Sequence, residues 1–184
     1  MALTNKEEKD LRFKELNTAL KSNDPGELRS TLKEIKNETD VRLIKPLIEL
    51  GVKNQHINVQ MEISDLLFDL KLTQGHSIIL EELKNMEANP FRAVLIATIW
   101  NANINALDHL DLFVKLAIEG SFEEAIECLS VIEETEGEVV EEQVLDSLLM
   151  LKEYLLNPKN DSIDKTPIIK DILIKVEEIE RMHQ

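Results

Sequence analysis

Asn89-Pro90-Phe91-Arg92-Ala93-Val94-Leu95-Ile96-Ala97-Thr98-Ile99-Trp100-Asn101 is the stretch on which the reading of the fold turns. Between Phe91 and Trp100 the only charge is Arg92 and the only other polar side chain is Thr98. On a helix these residues place apolar groups in nearly every direction, so the helix must be buried on most sides. It is too short for a membrane span, which needs about 20 apolar residues. Asn89-Pro90 suits a helix start, because proline lacks the N–H that the first turn leaves unpaired. The expectation is a central helix with neighbours on both flanks.

Around it lies a chain of 184 residues, long enough for one sizeable core. With 5 Gly, 5 Pro and 4% aromatics it has few turn signals and many helix formers, which predicts an all-α fold. Cys128 is the single cysteine, so neither an intrachain disulfide nor a multi-cysteine metal site is available. Met1-Ala2-Leu3 runs directly into Lys6-Glu7-Glu8-Lys9-Asp10, which leaves no apolar signal-peptide core. No apolar run is long enough to span a bilayer, and the chain is assigned to the cytoplasm. The net charge of −15 repels phosphate backbones and anionic membrane surfaces, so neither nucleic acid nor membrane is expected as a partner.

Capping chemistry and periodicity predict ten helices. Thr4 and Glu7 form a capping box at the first, which carries Leu11, Phe13, Leu16 and Leu20. Asp24-Pro25-Gly26-Glu27 restarts the chain as a second, with Asp24 as cap and Glu27 completing a box. Asp40 or Thr39 caps a third, which Pro46 should kink from inside. The fourth runs over 55–72. Gly75 precedes a fifth over 76–86, and the central stretch is the sixth. Residues 107–118, capped by Asp108, are the seventh. The eighth, 122–134, turns Phe122, Ile126, Leu129 and Ile132 inward. The ninth, 139–156, does the same with Val144, Leu145, Leu148, Leu149 and Leu155. After a loop at 157–162, Thr166-Pro167 opens a last helix with Ile169, Ile172, Val176 and Ile179 on one face.

The pattern recurs. Leu47, Leu80 and Phe113 are each 33 apart, as are Ile63, Ile96 and Leu129. A shift of 32, aligning Leu67 with Ile99, fits equally well. Periods of this length belong to solenoids, in which each helix pair buries its apolar face against the next. Ile44-Lys45-Pro46-Leu47-Ile48-Glu49-Leu50, Asn58-Val59-Gln60 and Asn89-Pro90-Phe91-Arg92 resemble the HEAT/armadillo-like helical repeat family, with proline inside a first helix and a Val-Arg pair opening the second. Arg92 matches that arginine; Gln60 and Glu123-Glu124 depart from it. The resemblance covers residues 25–150. It implies a right-handed α-α superhelix of antiparallel helix pairs over 1–156, followed by a loop and an amphipathic capping helix over 157–184. It also implies that Arg92 pairs with a neighbouring repeat's acid or carbonyl, and that second helices line a concave face.

From Leu116 to Leu151 there is no Lys or Arg, and eleven acids crowd the span. Such a run reads either as a solvated face or as a docking surface for a basic partner. Glu62, Asp65 and Asp69 form one polar stripe at helical spacing, and Glu123, Glu127 and Glu134 form another. The central helix lies between them and offers Val94, Ala97, Trp100 and Asn101. These ten residues are the candidate partner-binding set: an apolar floor with carboxylate walls, suited to a segment basic on its flanks. Ordinary interhelical packing is the alternative for Val94 and Ala97. The four histidines are scattered, no phosphate loop or Gly-x-Ser-x-Gly is present, and Cys128 falls on the core side of its helix. No catalytic residue, metal ligand or cofactor is assigned. The expected function is a non-enzymatic protein–protein scaffold that binds a basic segment. A structural subunit of a larger complex and a HEAT-like enzyme such as a DNA-base glycosylase are the alternatives.

Overall fold

The computed structural model describes residues 4–54, 56–68, 73–102, 104–135, 137, 140–157 and 164–182. The described residues form ten α-helices and two 3-10 turns, with no strand. The helices are α1 (Asn5–Ala19), α2 (Pro25–Ile35), α3 (Ile44–Lys53), α4 (Ile57–Phe68) and α5 (Thr73–Asn85). They continue with α6 (Pro90–Asn101), α7 (Leu110–Glu119), α8 (Phe122–Glu133), α9 (Glu141–Leu156) and α10 (Thr166–Met182). None of the described helices is long and apolar enough to cross a membrane. The chain divides into two compact units, Met1–Phe91 and Arg92–Gln184.

In the first unit α1 packs on α2, α2 on α4, and α3 on both α4 and α5. The starts follow local chemistry. Thr4 and Glu7 close a reciprocal box at α1, and Asp24 accepts the Glu27 N–H at 2.7 Å ahead of Pro25. The second box is incomplete, because the Glu27 carboxylate takes the Ser22 hydroxyl instead. Pro46 does not lie in the helix interior. A 3-10 turn, Val41–Leu43, capped by Asp40, leads into α3, and Pro46 falls in the first turn of the α-helix, where its missing donor costs nothing. Leu11 is exposed rather than inward, because the Leu16–Leu20 face leaves it outside.

Two glycines in this unit are packing positions, not punctuation. Gly51 lies within α3, where a Cβ would collide with the Phe91 ring. Gly75 lies inside α5 rather than before it, and a Cβ there would come within 2.5 Å of Ile44 Cδ1. Neither site leaves room for a side chain without movement of its neighbour.

In the second unit α7 packs on α8 and α9, and α10 packs on α9 and α8. Phe113, Val114, Ala117, Cys128, Leu151, Ile169, Ile172 and Val176 are fully buried. Asp108 caps nothing. The Asn105 carboxamide accepts the Leu107 N–H at 3.0 Å before a 3-10 turn, Leu107–His109, that precedes α7. α8 is rotated from the expected face: Glu124, Ala125, Cys128, Val131 and Ile132 are buried and Ile126 is exposed. In α9 the doublets Val144-Leu145 and Leu148-Leu149 offer two apolar stripes. Val144, Ser147, Leu148, Leu151 and Tyr154 form the buried one, so Leu145 and Leu149 point outward.

Candidate functional site

The second unit carries most of the net negative charge. Residues 92–184 hold 20 Asp and Glu against 8 Lys and Arg, compared with 16 against 13 in residues 1–91. Within that unit, α6 and α8 are tied by two polar links. The Arg92 guanidinium donates Nε to Glu124 Oε1 at 2.5 Å and Nη2 to Glu124 Oε2 at 3.0 Å. Two turns further along α6, Trp100 Nε1 donates to Glu127 Oε2 at 2.8 Å.

The buried end of this contact is closed. Glu124 also accepts the Ser121 N–H at 2.5 Å, and Ser121 Oγ accepts the Glu124 N–H, a capping box that starts α8. The hydrogen bond to Glu124 pushes the Arg92 pKa up against the opposing effect of burial. Lys165, buried just ahead of α10, donates its ammonium to the carbonyls of Ala117, Ile118 and Gly120. It thereby satisfies the C-terminal end of α7. The Cys128 thiol is fully buried and its pKa rises well above 9.0, first by burial and then by the Glu124 charge. The Arg92, Glu124, Cys128 and Lys165 side chains are all buried.

The open end holds the candidate residues of the second unit. Trp100 is half-buried, with its ring anchored through Glu127. Val94 and Ala97 are half-buried on α6, and their carbonyls accept the Thr98 hydroxyl and the Asn101 amide. Asn101, Glu123 and Glu134 are exposed. Glu123 and Glu134 share one face of α8 with Glu127, as their spacing requires. The Glu123 pKa is lowered by hydrogen bonds at the α8 start. Glu119, Glu123, Glu133, Glu134, Glu141, Glu142 and Asp146 are exposed and make no ion pair among the described residues.

The remaining candidates belong to the first unit. Glu62 on α4 pairs with Arg29 of α2 at 3.0 Å, so its charge is already answered. Asp65 is exposed, and Asp69 lies outside the described residues. Of the ten candidates, Trp100 and Glu127 are in direct contact between α6 and α8, and Ala97 and Asn101 within α6. The Ser121–Glu124 box was written in the Ser-x-x-Glu spacing. Nothing in the sequence marked Lys165, whose acceptors lie 45 to 48 residues away.

Two surface depressions accompany these features. One, of about 390 Å³, is lined by Asn17, Leu20, Lys21, Pro46, Leu50 and Lys53 in the first unit. The other, of about 380 Å³, is lined by Leu107, Ile132, Thr135, Lys175, Ile179 and Met182 in the second. Neither includes a candidate residue. Among the described residues no three His, Cys, Asp or Glu side chains converge as metal ligands would. Compared with family models, with curated proteins and with solved structures, the chain matches none.

Proposed function

We propose that the chain is a HEAT/armadillo-like scaffold, a right-handed stack of antiparallel helix pairs. It binds a basic protein segment along α8, beside Trp100, and performs no chemistry of its own. The packing within each unit supports the architecture. Successive helices pair (α1 with α2, α3 with α4, α7 with α8, α9 with α10), while alternate helices lie side by side (α2 with α4, α3 with α5, α7 with α9, α8 with α10). That two-layer pattern is how repeat pairs bury their faces. Buried residues keep an interval of 32 at Leu67, Ile99 and Val131, and the same interval relates Gln60, Arg92 and Glu124. Gln60 reaches back to the Gly51 and Asn54 carbonyls, and Arg92 reaches forward to Glu124. The 32-residue register is therefore the one in which these three polar positions correspond.

One observation carries the binding reading: α8 presents Glu123 and Glu134 to solvent without cations, next to a half-buried tryptophan. Uncompensated carboxylates attract and orient a cationic segment, and an aromatic ring at their edge supplies an apolar anchor. The scaffold reading is supported by the use of the buried ions: Arg92 binds Glu124 across α6 and α8, and Lys165 binds carbonyls at the end of α7.

Trp100 is the only tryptophan, so its emission reports on this surface alone. Titration of the full chain with a lysine-rich peptide should change that emission at low salt. The change should weaken as ionic strength rises past about 0.1 M, where exposed charges are screened. Glu123→Lys/Glu134→Lys should abolish it. Unchanged emission at low salt, or an unaffected double variant, overturns the assignment.

A further inference from the structure

The outward face of α9 has a composition that folding alone does not call for. Leu145, Leu149 and Leu156 are 52%, 59% and 79% exposed. At 3.6 residues per turn they fall within about 40° of one another, forming a seam down one side of the helix. Scattered exposed leucines are ordinary, but an aligned row of them is a contact surface in waiting. Their spacing of four and then seven residues is that of a helix presenting a stripe to another helix. Along one margin of the seam stand Glu142, Asp146 and Glu153, all exposed and none in an ion pair among the described residues. Lys152, in the gap before Leu156, is drawn toward Glu177 of α10 at 4.0 Å.

We propose that this face of α9 docks an amphipathic helix from another protein, apolar along its centre and cationic along its flank. Charge selects the occupant. A second copy seated antiparallel, α9 on α9, would set Glu142, Asp146 and Glu153 against their own counterparts, and either orientation would bring together two chains of net charge −15. An uncharged helix would leave those carboxylates unanswered at the rim. A helix with Lys or Arg beside its apolar stripe satisfies both features at once. The proposal rests on the scaffold reading given above but assigns a different helix from the α8 surface, so loss of the α8 site leaves the α9 site testable and the reverse.

The test uses the full chain and a labelled synthetic helix of about five turns, with a leucine stripe and lysine flanks. Fluorescence anisotropy should detect binding. Leu145→Ser/Leu149→Ser/Leu156→Ser should weaken it at least about tenfold, a change of roughly one decade in Kd. All three side chains are exposed, so the variant should keep its helical circular dichroism and melting temperature. Glu142→Lys/Asp146→Lys/Glu153→Lys should weaken binding as well, whereas Glu123→Lys/Glu134→Lys on α8 should leave it within about twofold. Equal binding of the same peptide with glutamate flanks overturns the choice of a cationic occupant. Wild-type affinity in the leucine variant overturns the site. A dimer in sedimentation that dissociates in the leucine variant shows that the face belongs to a second copy instead.

Discussion

Arg92 and Glu124 meet side-on through two hydrogen bonds, and both are almost wholly buried, with 7% and 4% of their surface exposed. A buried pair of this kind adds little net stability, because both ions gave up water, but removing one partner strands the other. Glu124→Ala should therefore destabilise the chain by about 3 to 5 kcal/mol in urea unfolding. The double variant Arg92→Met/Glu124→Leu should recover most of that loss. Its residual deficit should be about 1 kcal/mol, the ordinary cost of losing the Glu124 half of the Ser121 cap. A cost below about 1 kcal/mol for Glu124→Ala would mean that water reaches Arg92.

Gly51 and Gly75 make different predictions from similar geometry. In an open helix either change to alanine would gain about 1 kcal/mol of helix propensity. At Gly51 the new methyl would meet the Phe91 ring, a rigid group that is itself fully buried. Overpacking of that kind costs about 1 to 3 kcal/mol, so Gly51→Ala should lower the melting temperature. Gly51→Ala/Phe91→Leu should lose less than the two single changes together. At Gly75 the obstacle is Ile44 Cδ1, the far end of a side chain that can rotate. Gly75→Ala should stay within about 1 kcal/mol of the parent. Equal losses at the two sites would show that the Phe91 ring yields as easily as a methyl.

What could be read from the sequence divides by distance. The starts at Thr4, Asp24-Pro25 and Asn89-Pro90 were legible because a cap and its helix are neighbours in the chain. The inward stripe of α10 was legible because Ile169, Ile172, Val176 and Ile179 leave only one apolar face. The faces of α8 and α9 were not. In α9 paired leucines permit two rotations of the helix, and in α8 the Arg92–Glu124 bond sets which side turns inward. Gly75, read as preceding α5, proved to be a point of close packing inside it, since a missing side chain looks the same in sequence whichever use it serves. At the candidate site the α8 stripe of Glu123, Glu127 and Glu134 was visible from periodicity. The Arg29 that answers Glu62 lies 33 residues away, beyond any local signal.

Lys165 predicts how α10 is held. Its ammonium lies 3.2, 2.9 and 2.6 Å from the carbonyls of Ala117, Ile118 and Gly120, at the negative end of α7. Lys165→Met keeps the aliphatic stem but leaves those acceptors without their donor in a buried setting. Hydrogen bonds to a charged group contribute about 1.5 to 3 kcal/mol each, so a loss of at least about 2 kcal/mol is expected. The loss should appear as faster amide hydrogen exchange in α10 and the last turn of α7. Lys170→Met, exposed on the same helix, should change stability by less than about 0.5 kcal/mol. Matching exchange rates in the two variants would deny Lys165 this role.

The Cys128 thiol ties stability to alkaline pH. Burial holds its folded-state pKa well above the ordinary value of 9.0, with the Glu124 charge acting in the same direction. The unfolded chain ionises its thiol near the ordinary value, so at high pH the unfolded state releases a proton that the folded state keeps. Stability from this group is thus fully present below about pH 9 and is lost as pH rises toward the folded value, by up to about 1.4 kcal/mol per pH unit. Urea midpoints of the parent should fall more steeply between about pH 9 and pH 10 than those of Cys128→Ala, which lacks the titrating group. The same burial makes the native thiol unreactive. Labelling by a thiol reagent at pH 8 should require opening of the structure, so added denaturant should accelerate it. Rapid stoichiometric labelling of the folded chain, or parallel pH profiles for parent and variant, would place the thiol in contact with water.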